Sequence, residues 1–351
     1  MRILQINTEK TWRGGERQTL LTMQALREKG HQVDLLCARG GELAARAKAT
    51  GFRVFEAGSG VSFGLRLLLV ARNYDVAHAQ TAKAVTWAAL VRLAVSTPLV
   101  FTKRTSFALK RGYWKSRLKW QQVDRLVAIS EAAASGPRAL GIETRVISSA
   151  VPAIEPSPGR VKAFLTNRNL QGRRLVGTAS ALSFEKDPLT LIEAAATVCK
   201  ALDDVTFVHW GADEQAAQVS RERIAQLGLQ SRYLLMGFED SVEQLYPALS
   251  VFVMASRFEA LGSSVLDAMQ QKIPVVSTDA GGLKETLANG RGLLVAVGDA
   301  QAMASQILMV LGRPTIVASM VQQAFDDVQK HYSVNAMAES YFEVYRDLVA
   351  V

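Results

Sequence analysis

The sequence has few of the residues that build disulfide frameworks or metal sites. It contains two cysteines, Cys37 and Cys199, in different halves of the chain, and four histidines without metal-ligand spacing. Neither a disulfide scaffold nor a zinc site is expected, and a reducing, cytoplasmic setting is predicted. No Asp-x-Asp pair is present to hold a divalent ion around a diphosphate, so neither a metal nor a cofactor is predicted.

The chain also lacks a long apolar run. A membrane span needs roughly 18–20 consecutive apolar residues. "LRLLLVA" (65–71) is too short, and "AVTWAALVRLAV" (84–95) is interrupted by Arg92. The first residues, "MRILQIN", read as a strand and not as a signal peptide. The sequence therefore predicts no transmembrane helix, and we expect membrane contact to be peripheral.

Strand-like and helix-like segments alternate along nearly the whole chain. Of the 351 residues 49% are hydrophobic, which allows two cores of ordinary domain size. Continuous β-branched and leucine-rich runs are typical of strands buried on both faces of a parallel sheet. These patterns predict an α/β fold of two tandem Rossmann-like domains.

The best candidate for a linker is the proline-rich segment 151–164, "VPAIEPSPGRVKAF". It divides the chain into an N-terminal domain, residues 1–155, and a C-terminal domain, residues 165–325. The helical tail, residues 326–351, is expected to pack back on the first domain. Ligands in such folds bind beyond the carboxyl ends of the strands, so the inter-domain cleft is the expected site.

Positive charge is concentrated in the first half. Residues 1–150 contain 24 Lys and Arg against 10 Asp and Glu, a net charge of +14, whereas residues 151–351 contain 17 and 22, a net charge of −5. Such a split predicts that the first domain faces an anionic partner, and the acidic second half favours a small phosphate ligand over nucleic acid.

The stretch 102–120, "TKRTSFALKRGYWKSRLKW", mixes basic and aromatic residues and contains no acid. Such a stretch suits the surface of an anionic membrane, stacking on single-stranded nucleic acid, or a solvated positive face. We predict that it contacts an anionic partner or the membrane through Lys103, Arg104, Lys110, Arg111 and Trp114.

Two glycine-containing turns are candidates for binding phosphate. Gly14 and Gly15 follow the first predicted strand and open a helix, where backbone N–H groups can approach an oxyanion. "GSSVLD" (262–267) also opens a helix. The alternatives are a plain turn at 14–15 and, at 262–267, a capping box of Ser264 and Asp267.

Three titratable residues lie where strands end. Glu259 follows a buried strand in "SRFEALG" and has no evident structural duty. Lys186, in "SFEKDPLTL", precedes a helix and can offset phosphate charge, or it is a solvated loop lysine. His78 ends the strand "DVAHA" and is either catalytic or structural.

The segment 259–299, "EALGSSVLDAMQQKIPVVSTDAGGLKETLANGRGLLVAVGD", resembles the donor-binding region of retaining glycosyltransferases of the GT-B fold, family GT4. That family has a Glu-x7-Glu motif, a Pro-Val-Val strand, a Gly-Gly turn and a Gly-Asp ending. Weaker marks in the family's order extend the resemblance over most of the chain: "GG" (14–15), "DVAHAQ" (75–80), "VAISEAA" (127–133), "SALSFEKDPLTLIEA" (180–194), "WGAD" (210–213) and "MGFEDSVEQLY" (236–246).

The resemblance implies a role for each candidate residue. Glu259 would contact hydroxyls of the donor sugar, and Asp267 would hold the ribose. Lys186 would neutralise the diphosphate, and Glu259, His78 and Lys186 form the implied catalytic set. The remaining implied donor contacts are of three kinds. Gly14 and Gly15 would lie against the distal phosphate or the acceptor, and Gly237 and Phe238 would lie beside the base. The backbone at the start of the second helix would also contact the donor, at Leu261, Gly262, Ser263 and Ser264.

The sequence departs from the family pattern at three positions. Asp267 replaces the second Glu and is one methylene shorter. Ala181 stands where the family has an Arg, which leaves Lys186 to act alone or with Arg104. Gln80 replaces a second His after His78.

The function implied is sugar transfer from a nucleotide diphosphate sugar to a lipid-linked or lipopolysaccharide-type acceptor. The charge and the stretch 102–120 predict a peripheral position on the cytoplasmic face of the inner membrane, although a soluble anionic acceptor would explain the same charge. Two alternatives stay open. A nucleotide-sugar 2-epimerase needs more acids and histidines than the candidates supply. A degenerate nucleotide-binding scaffold subunit would explain the three departures.

Overall fold

The structure, a computed structural model, describes residues 1–92, 94–106, 113–155 and 157–349. Lys110 and Arg111, predicted above to contact acceptor or membrane, lie outside the described residues. The chain forms two compact units: Met1–Ala150 with Tyr332–Val351, and Val151–His331.

The first unit is built on a seven-stranded parallel sheet with the strand order β3-β2-β1-β4-β5-β6-β7. The central strands are apolar and buried on both faces, as the sequence pattern predicted. The strands are β1 (Arg2–Asn7), β2 (Gln32–Ala38), β3 (Val54–Ala57), β4 (Val76–Ala79), β5 (Leu99–Lys103), β6 (Arg125–Ala128) and β7 (Thr144–Val146).

Helices cover both faces of this sheet. Its helices are α1 (Gly14–Glu28), α2 (Glu42–Ala49), α3 (Val61–Ala71), α4 (Ala82–Val91), α5 (Tyr113–Trp120), α6 (Glu131–Ala139) and α14 (Val334–Val349). One core joins the sheet to α1, α2 and α14. A second core on the opposite face joins it to α3, α4 and α5, through side chains such as Phe63, Val85 and Trp120. The three helices α3, α4 and α5 therefore form one layer.

The second unit repeats this architecture with a six-stranded parallel sheet of order β10-β9-β8-β11-β12-β13. Its strands are β8 (Arg174–Ala179), β9 (Val205–Trp210), β10 (Tyr233–Gly237), β11 (Leu249–Met254), β12 (Val275–Thr278) and β13 (Leu293–Val295). Its helices are α7 (Pro158–Asn167), α8 (Pro188–Ala201), α9 (Ala217–Gln226), α10 (Ser263–Gln270), α11 (Gly282–Thr286), α12 (Ala300–Gly312) and α13 (Pro314–His331), with a 3-10 helix at Val242–Ala248. Two parallel-sheet, Rossmann-like units with C-terminal helices confirm the predicted fold class.

The predicted linker is partly helical. Its second half forms the start of α7, with Pro158 in the first turn, where a fixed φ favours helix and the missing N–H costs nothing. Arg160 fastens α7 to the second unit by donating hydrogen bonds to Asp240 O (2.8 Å) and Gln244 Oε1 (2.8 Å). Of the two tail helices, α13 belongs to the second unit and α14 to the first.

No single helix among the described residues is long and apolar enough to cross a membrane. Within the same described ranges, one pair of segments, 300–312 and 315–349, reaches that length and composition together, and a 102° bend separates them.

Candidate functional site

The candidate site in the second unit forms where β8 and β11, neighbours in the sheet, end. Lys186 lies in the loop after β8 and Glu259 in the loop after β11. The Lys186 Nζ donates to Glu259 Oε2, and the two side chains are only 21% and 15% exposed. Partial burial strengthens such a pair relative to a surface salt bridge. The structure thus brings together two residues that sequence reasoning had assigned separately.

A second ion pair, which the sequence analysis missed, ties the same two loops. Arg257 Nε donates to Asp187 Oδ2 at 2.8 Å, and the Arg257 backbone N–H donates to Glu185 O at 2.8 Å. Asp187 is buried, adopts a left-handed conformation with φ +46°, and also accepts from Thr190 Oγ1 at 2.8 Å. Because Asp187 is adjacent to Lys186, and Arg257 is two residues from Glu259, each loop fixes the other.

The Arg257 side chain is 54% exposed although it contacts Asp187. The signal in the sequence was an arginine two residues before Glu259, in "SRFE". Arg257 is a second cation beside Asp187, in a chain that has Ala181 where the family pattern has an arginine.

The predicted Gly-Gly turn holds the Glu259 loop from the other side. Gly281 has φ +50°, and the Gly282 N–H donates to Glu259 O at 3.0 Å. A Cβ on Gly282 would lie 2.0 Å from Ala260 O, so the close approach of the two backbones requires glycine. Thr286 Oγ1 adds a bond to Leu261 O at 2.9 Å.

The start of α10 differs from the capping box considered above. The residue that caps α10 is Gly262, with φ +86°, and no side chain caps the helix there. Ser264 therefore lies inside the first turn, and the capping-box interpretation of Ser264 and Asp267 is wrong. The amides of Val265 and Leu266 bond to Gly262 O, and the first-turn amides of the preceding serines are placed as anion donors.

Asp267 lies one turn further along α10 and is buried. The side chains of Ser263 and Ser264 are partly exposed, whereas Leu261 is buried. The ribose-binding role of Asp267 stays a prediction.

The strands β8, β9 and β10 end close together. A Cβ on Gly211 would lie 1.8 Å from Ser180 O, and the Gly211 N–H donates to Gly237 O at 2.8 Å. Gly237 has φ +74°, and the ring of Phe238 after it is exposed. An exposed aromatic ring at a strand end is a surface on which a base can stack.

In the first unit, Arg104 lies against the start of α1. A Cβ on Gly15 would be 3.6 Å from Arg104 Cδ, and α1 begins at Gly14. The guanidinium donates to Gln80 Oε1 at 2.7 Å and Ser149 Oγ at 3.2 Å. The helix N-terminus and an arginine therefore share one position at the carboxyl edge of this sheet, which suits an anionic group.

Glu16, in the first turn of α1, is buried beside this position. It accepts from Asn7 Nδ2 at 3.2 Å and from the Arg13 N–H at 3.2 Å. Burial raises the pKa of Glu16 above its usual range, because the charged form loses hydration.

His78 lies inside the first unit, and its catalytic role stays a prediction. His78 is fully buried, with Nδ1 2.6 Å from Tyr345 OH and Nε2 2.7 Å from Thr102 Oγ1. Burial, and secondarily the charge of Arg104, holds the pKa of His78 well below its usual range, so the ring is neutral. His78 anchors α14 to the sheet, because Tyr345 belongs to that helix.

Lys103 is likewise not presented to a membrane or acceptor. It is buried, and its ammonium donates to Ala133 O at 3.1 Å and to Thr105 O. Burial lowers the pKa of Lys103 to about 8. Trp114 is exposed on α5, so of the described residues in this set only Trp114 lies on an open surface.

No group of three His, Cys, Asp or Glu side chains that could hold a metal ion occurs among the described residues.

Two protein-family models match the chain: Glycosyltransferase Family 4 over residues 12–153 and Glycosyl transferases group 1 over residues 173–313. The lipopolysaccharide core biosynthesis mannosyltransferase LpsB of Rhizobium meliloti (strain 1021) is 30% identical over 37% of this chain and 38% of its own length. The 2-deoxystreptamine glucosyltransferase of Streptomyces kanamyceticus is 27% identical over 70% of this chain and 66% of its own length. The matches thus span less than two thirds of both relatives.

The fold is shared with a solved structure, that of the Anabaena protein Alr3699/HepE in complex with UDP. The two align with a TM-score of 0.89 and 20% identity over 99% of this chain and 100% of that chain. The two parallel-sheet units have the GT-B fold, and both family models that match them describe glycosyltransferases.

Proposed function

We propose that this protein is a retaining glycosyltransferase of family GT4 that moves a sugar from a nucleotide diphosphate sugar to a cell-envelope glycan. The observation that carries the proposal is the contact between Lys186 and Glu259 beside the start of α10. It places a cation, a carboxylate and free first-turn amides together at the carboxyl edge of the second sheet.

These three groups match the parts of a nucleotide-sugar. The Lys186 ammonium and the α10 amides bind the diphosphate, and Glu259 accepts hydrogen bonds from the sugar hydroxyls. Asp267 and the exposed Phe238 ring are proposed to contact the ribose and the base. The complex of Alr3699/HepE with UDP supports a nucleotide donor for this fold.

The proposed reaction needs no nucleophile from the protein. The bond between the anomeric carbon and the diphosphate oxygen breaks, and the acceptor oxygen bonds to the same face of that carbon. The acceptor's proton goes to the departing diphosphate. Lys186 and the α10 amides stabilise the charge that develops on the diphosphate, which is electrostatic catalysis by preorganised groups. We propose that no metal takes part.

The acceptor is proposed to be a lipid-linked or lipopolysaccharide-type glycan at the cytoplasmic face of the inner membrane. The similarity to LpsB and the basic first half of the chain support it. The similarity to an enzyme named for 2-deoxystreptamine favours a soluble acceptor instead, and acceptor assays with both classes decide between them.

Calorimetry with a panel of nucleotide diphosphates and their sugars tests the donor assignment. One nucleotide-sugar is expected to bind wild type, and Glu259→Gln is expected to weaken the sugar form more than the bare nucleotide. The matched control is Glu222→Gln, the same change on an exposed residue of α9.

Failure of every nucleotide to bind would support the scaffold alternative and overturn the proposal. An isomerised sugar formed without any acceptor would identify an epimerase. Retention is checked by the anomeric configuration of the product in NMR spectra.

A further inference from the structure

Helix α3 is apolar on its outer side as well as its inner side. Phe63, Leu67 and Val70 face the core, as expected of a helix that covers a sheet. Val61, Leu65 and Leu69 follow one another at intervals of four residues and form a ridge on the opposite side. Their exposed fractions are 68%, 57% and 56%. A helix that covers a sheet normally places polar residues on that outer side.

The neighbouring helices extend this ridge into a surface. Helix α4 packs closely on α3, since a Cβ on Gly64 would lie 2.7 Å from the Trp87 ring. Helix α5 meets the start of α4, where Lys119 Nζ lies 3.5 Å from Ala82 O. We call the outer side of these three helices the α3–α5 face.

The exposed apolar residues of the first unit are concentrated on this face. Of its eight exposed large apolar side chains among the described residues, all but Val349 lie there. The seven are between 55% and 68% exposed: Val61, Leu65, Leu69, Leu90, Tyr113, Trp114 and Leu118. Single exposed apolar residues need no explanation, but a cluster of this kind marks an interaction surface.

The charge of residues 61–120, which contain the three helices, is almost entirely positive. Residues 61–120 contain eleven Lys and Arg and a single acid, Asp75, which accepts from the Arg2 N–H at 2.7 Å. Three of the eleven do not serve the face: Arg92 is paired with Asp124, and Lys103 and Arg104 lie inside the unit. The exposed basic residues that remain among those described are Arg66, Arg72, Lys83, Lys115 and Arg117.

We propose that the α3–α5 face binds the surface of an anionic phospholipid bilayer, with the α3 ridge and Trp114 entering the boundary between headgroups and acyl chains. Apolar and aromatic side chains flanked by Lys and Arg, with no acid on the three helices, are the features of an interfacial membrane contact. Nucleic acid would use the basic and aromatic residues but has no use for an aliphatic ridge.

The assignment rests on the proposed transfer to a lipid-linked acceptor and deepens it. It moves the membrane contact away from Lys103 and Arg104, which the sequence had suggested, to a ridge of leucines. Transfer to such an acceptor then takes place on an enzyme already docked on the bilayer that holds it.

Co-sedimentation of the full chain with vesicles tests the proposal. The vesicles are phosphatidylcholine alone or phosphatidylcholine with about a third phosphatidylglycerol, in about 0.05 M and about 0.5 M NaCl. Wild type is expected to bind only the anionic vesicles and to dissociate partly at the higher salt. The double variant Leu65→Gln/Leu69→Gln is expected to bind at least about tenfold more weakly. Lys115→Gln/Arg117→Gln is expected to lose the salt dependence.

Matched controls lie on the second unit. Ile316→Gln changes an exposed apolar residue, and Lys200→Gln/Lys330→Gln removes two exposed charges. Both are expected to bind vesicles as wild type does. Three outcomes would overturn the proposal: wild type does not bind the anionic vesicles, Leu65→Gln/Leu69→Gln binds them as wild type does, or the control variants lose as much vesicle binding as the variants of the face. The proposal would also be overturned if light scattering showed that wild type is a dimer and the leucine variant a monomer, because the face would then be a protein interface.

Donor binding measured by calorimetry without lipid separates this proposal from the transferase assignment. The leucine variant is expected to bind the nucleotide-sugar as wild type does, which also shows that it is folded. If the leucine variant loses vesicle binding but keeps donor binding, the loss therefore concerns only the α3–α5 face and not the donor site.

Discussion

Arg257 Nε lies 2.8 Å from Asp187 Oδ2 and joins the loop after β11 to the loop after β8. Asp187 is buried, and its carboxylate has a cation on one side and Thr190 on the other. The pair fixes the two loops that carry Lys186 and Glu259, and it leaves half of the Arg257 side chain exposed near them.

Arg257→Gln is therefore expected to lower both stability and donor affinity. The buried Asp187 loses its charged partner, which costs about 1–3 kcal/mol of unfolding free energy. The change also removes a cation near the proposed diphosphate position. Urea denaturation and calorimetry with the nucleotide diphosphate measure the two effects. In the double variant Asp187→Asn/Arg257→Gln the stability losses are expected to be smaller than the sum of the single losses. Additive losses would contradict the coupling.

Lys186 and Glu259 are expected to respond oppositely to substitution when the bare nucleotide diphosphate is the ligand. Lys186→Gln removes the cation and should weaken binding by about one to two orders of magnitude. Glu259→Gln releases Lys186 from its carboxylate partner, so the bare nucleotide should bind equally well or more tightly. Titration calorimetry on both variants decides, and parallel weakening would mean that Glu259 does not compete for Lys186.

Gly282→Ala is expected to destabilise the second unit by more than about 2 kcal/mol. The new Cβ would lie 2.0 Å from Ala260 O and must push the Glu259 loop away. The control is Gly159→Ala in α7, where nothing lies within 4 Å of the added Cβ. We expect that change to be neutral or slightly stabilising, because alanine favours helix. Urea denaturation measures both, and equal effects would contradict the close approach at Gly282.

His209 is expected to make the second unit less stable in mild acid. It is buried in β9, with Nε2 3.0 Å from Ser180 O and Nδ1 2.9 Å from Tyr233 OH, so the neutral ring donates to the carbonyl and accepts from the tyrosine. Burial lowers the pKa of His209 from 6.5 to about 4. Between these values the unfolded chain binds a proton that the folded chain does not, so stability falls as the pH drops from about 6.5 to about 4.

The complete loss across this window corresponds to about 3 kcal/mol. Proton NMR titration is expected to show a His209 ring signal that does not move between pH 7 and about 5. His209→Gln assigns the signal, and His331→Gln removes an exposed histidine for comparison. A His209 midpoint near 6.5 would contradict the prediction. In denaturation, the stability gap between wild type and His209→Gln should narrow as the pH falls through the same window.

Much of the fold was predictable because a strand buried on both faces of a parallel sheet consists of a run of apolar residues. The strands β8, β9, β11 and β12 each coincide with such a run. The loops after them contain the glycines, Lys186 and Glu259 that were predicted as site residues. The helix after Lys186 was also predicted correctly; it begins at Pro188, and proline suits the first turn of a helix. The capping box at Ser264 failed because Gly262, in a left-handed conformation, caps α10, so the helix begins two residues earlier than a Ser264 cap would place it.

The sequence by itself determined the alternation of strands and helices and which side chains stand at strand ends, because local apolar pattern and turn chemistry decide both. The tertiary structure alone decided which of those side chains meet. Lys186 and Glu259 are 73 residues apart and touch because β8 lies beside β11. It also decided that His78 is buried under α14, and that Leu65 and Leu69 of the apolar run "LRLLLVA" face outward. Burial and pairing depend on strand order and on the packing of distant helices, which no local pattern contains.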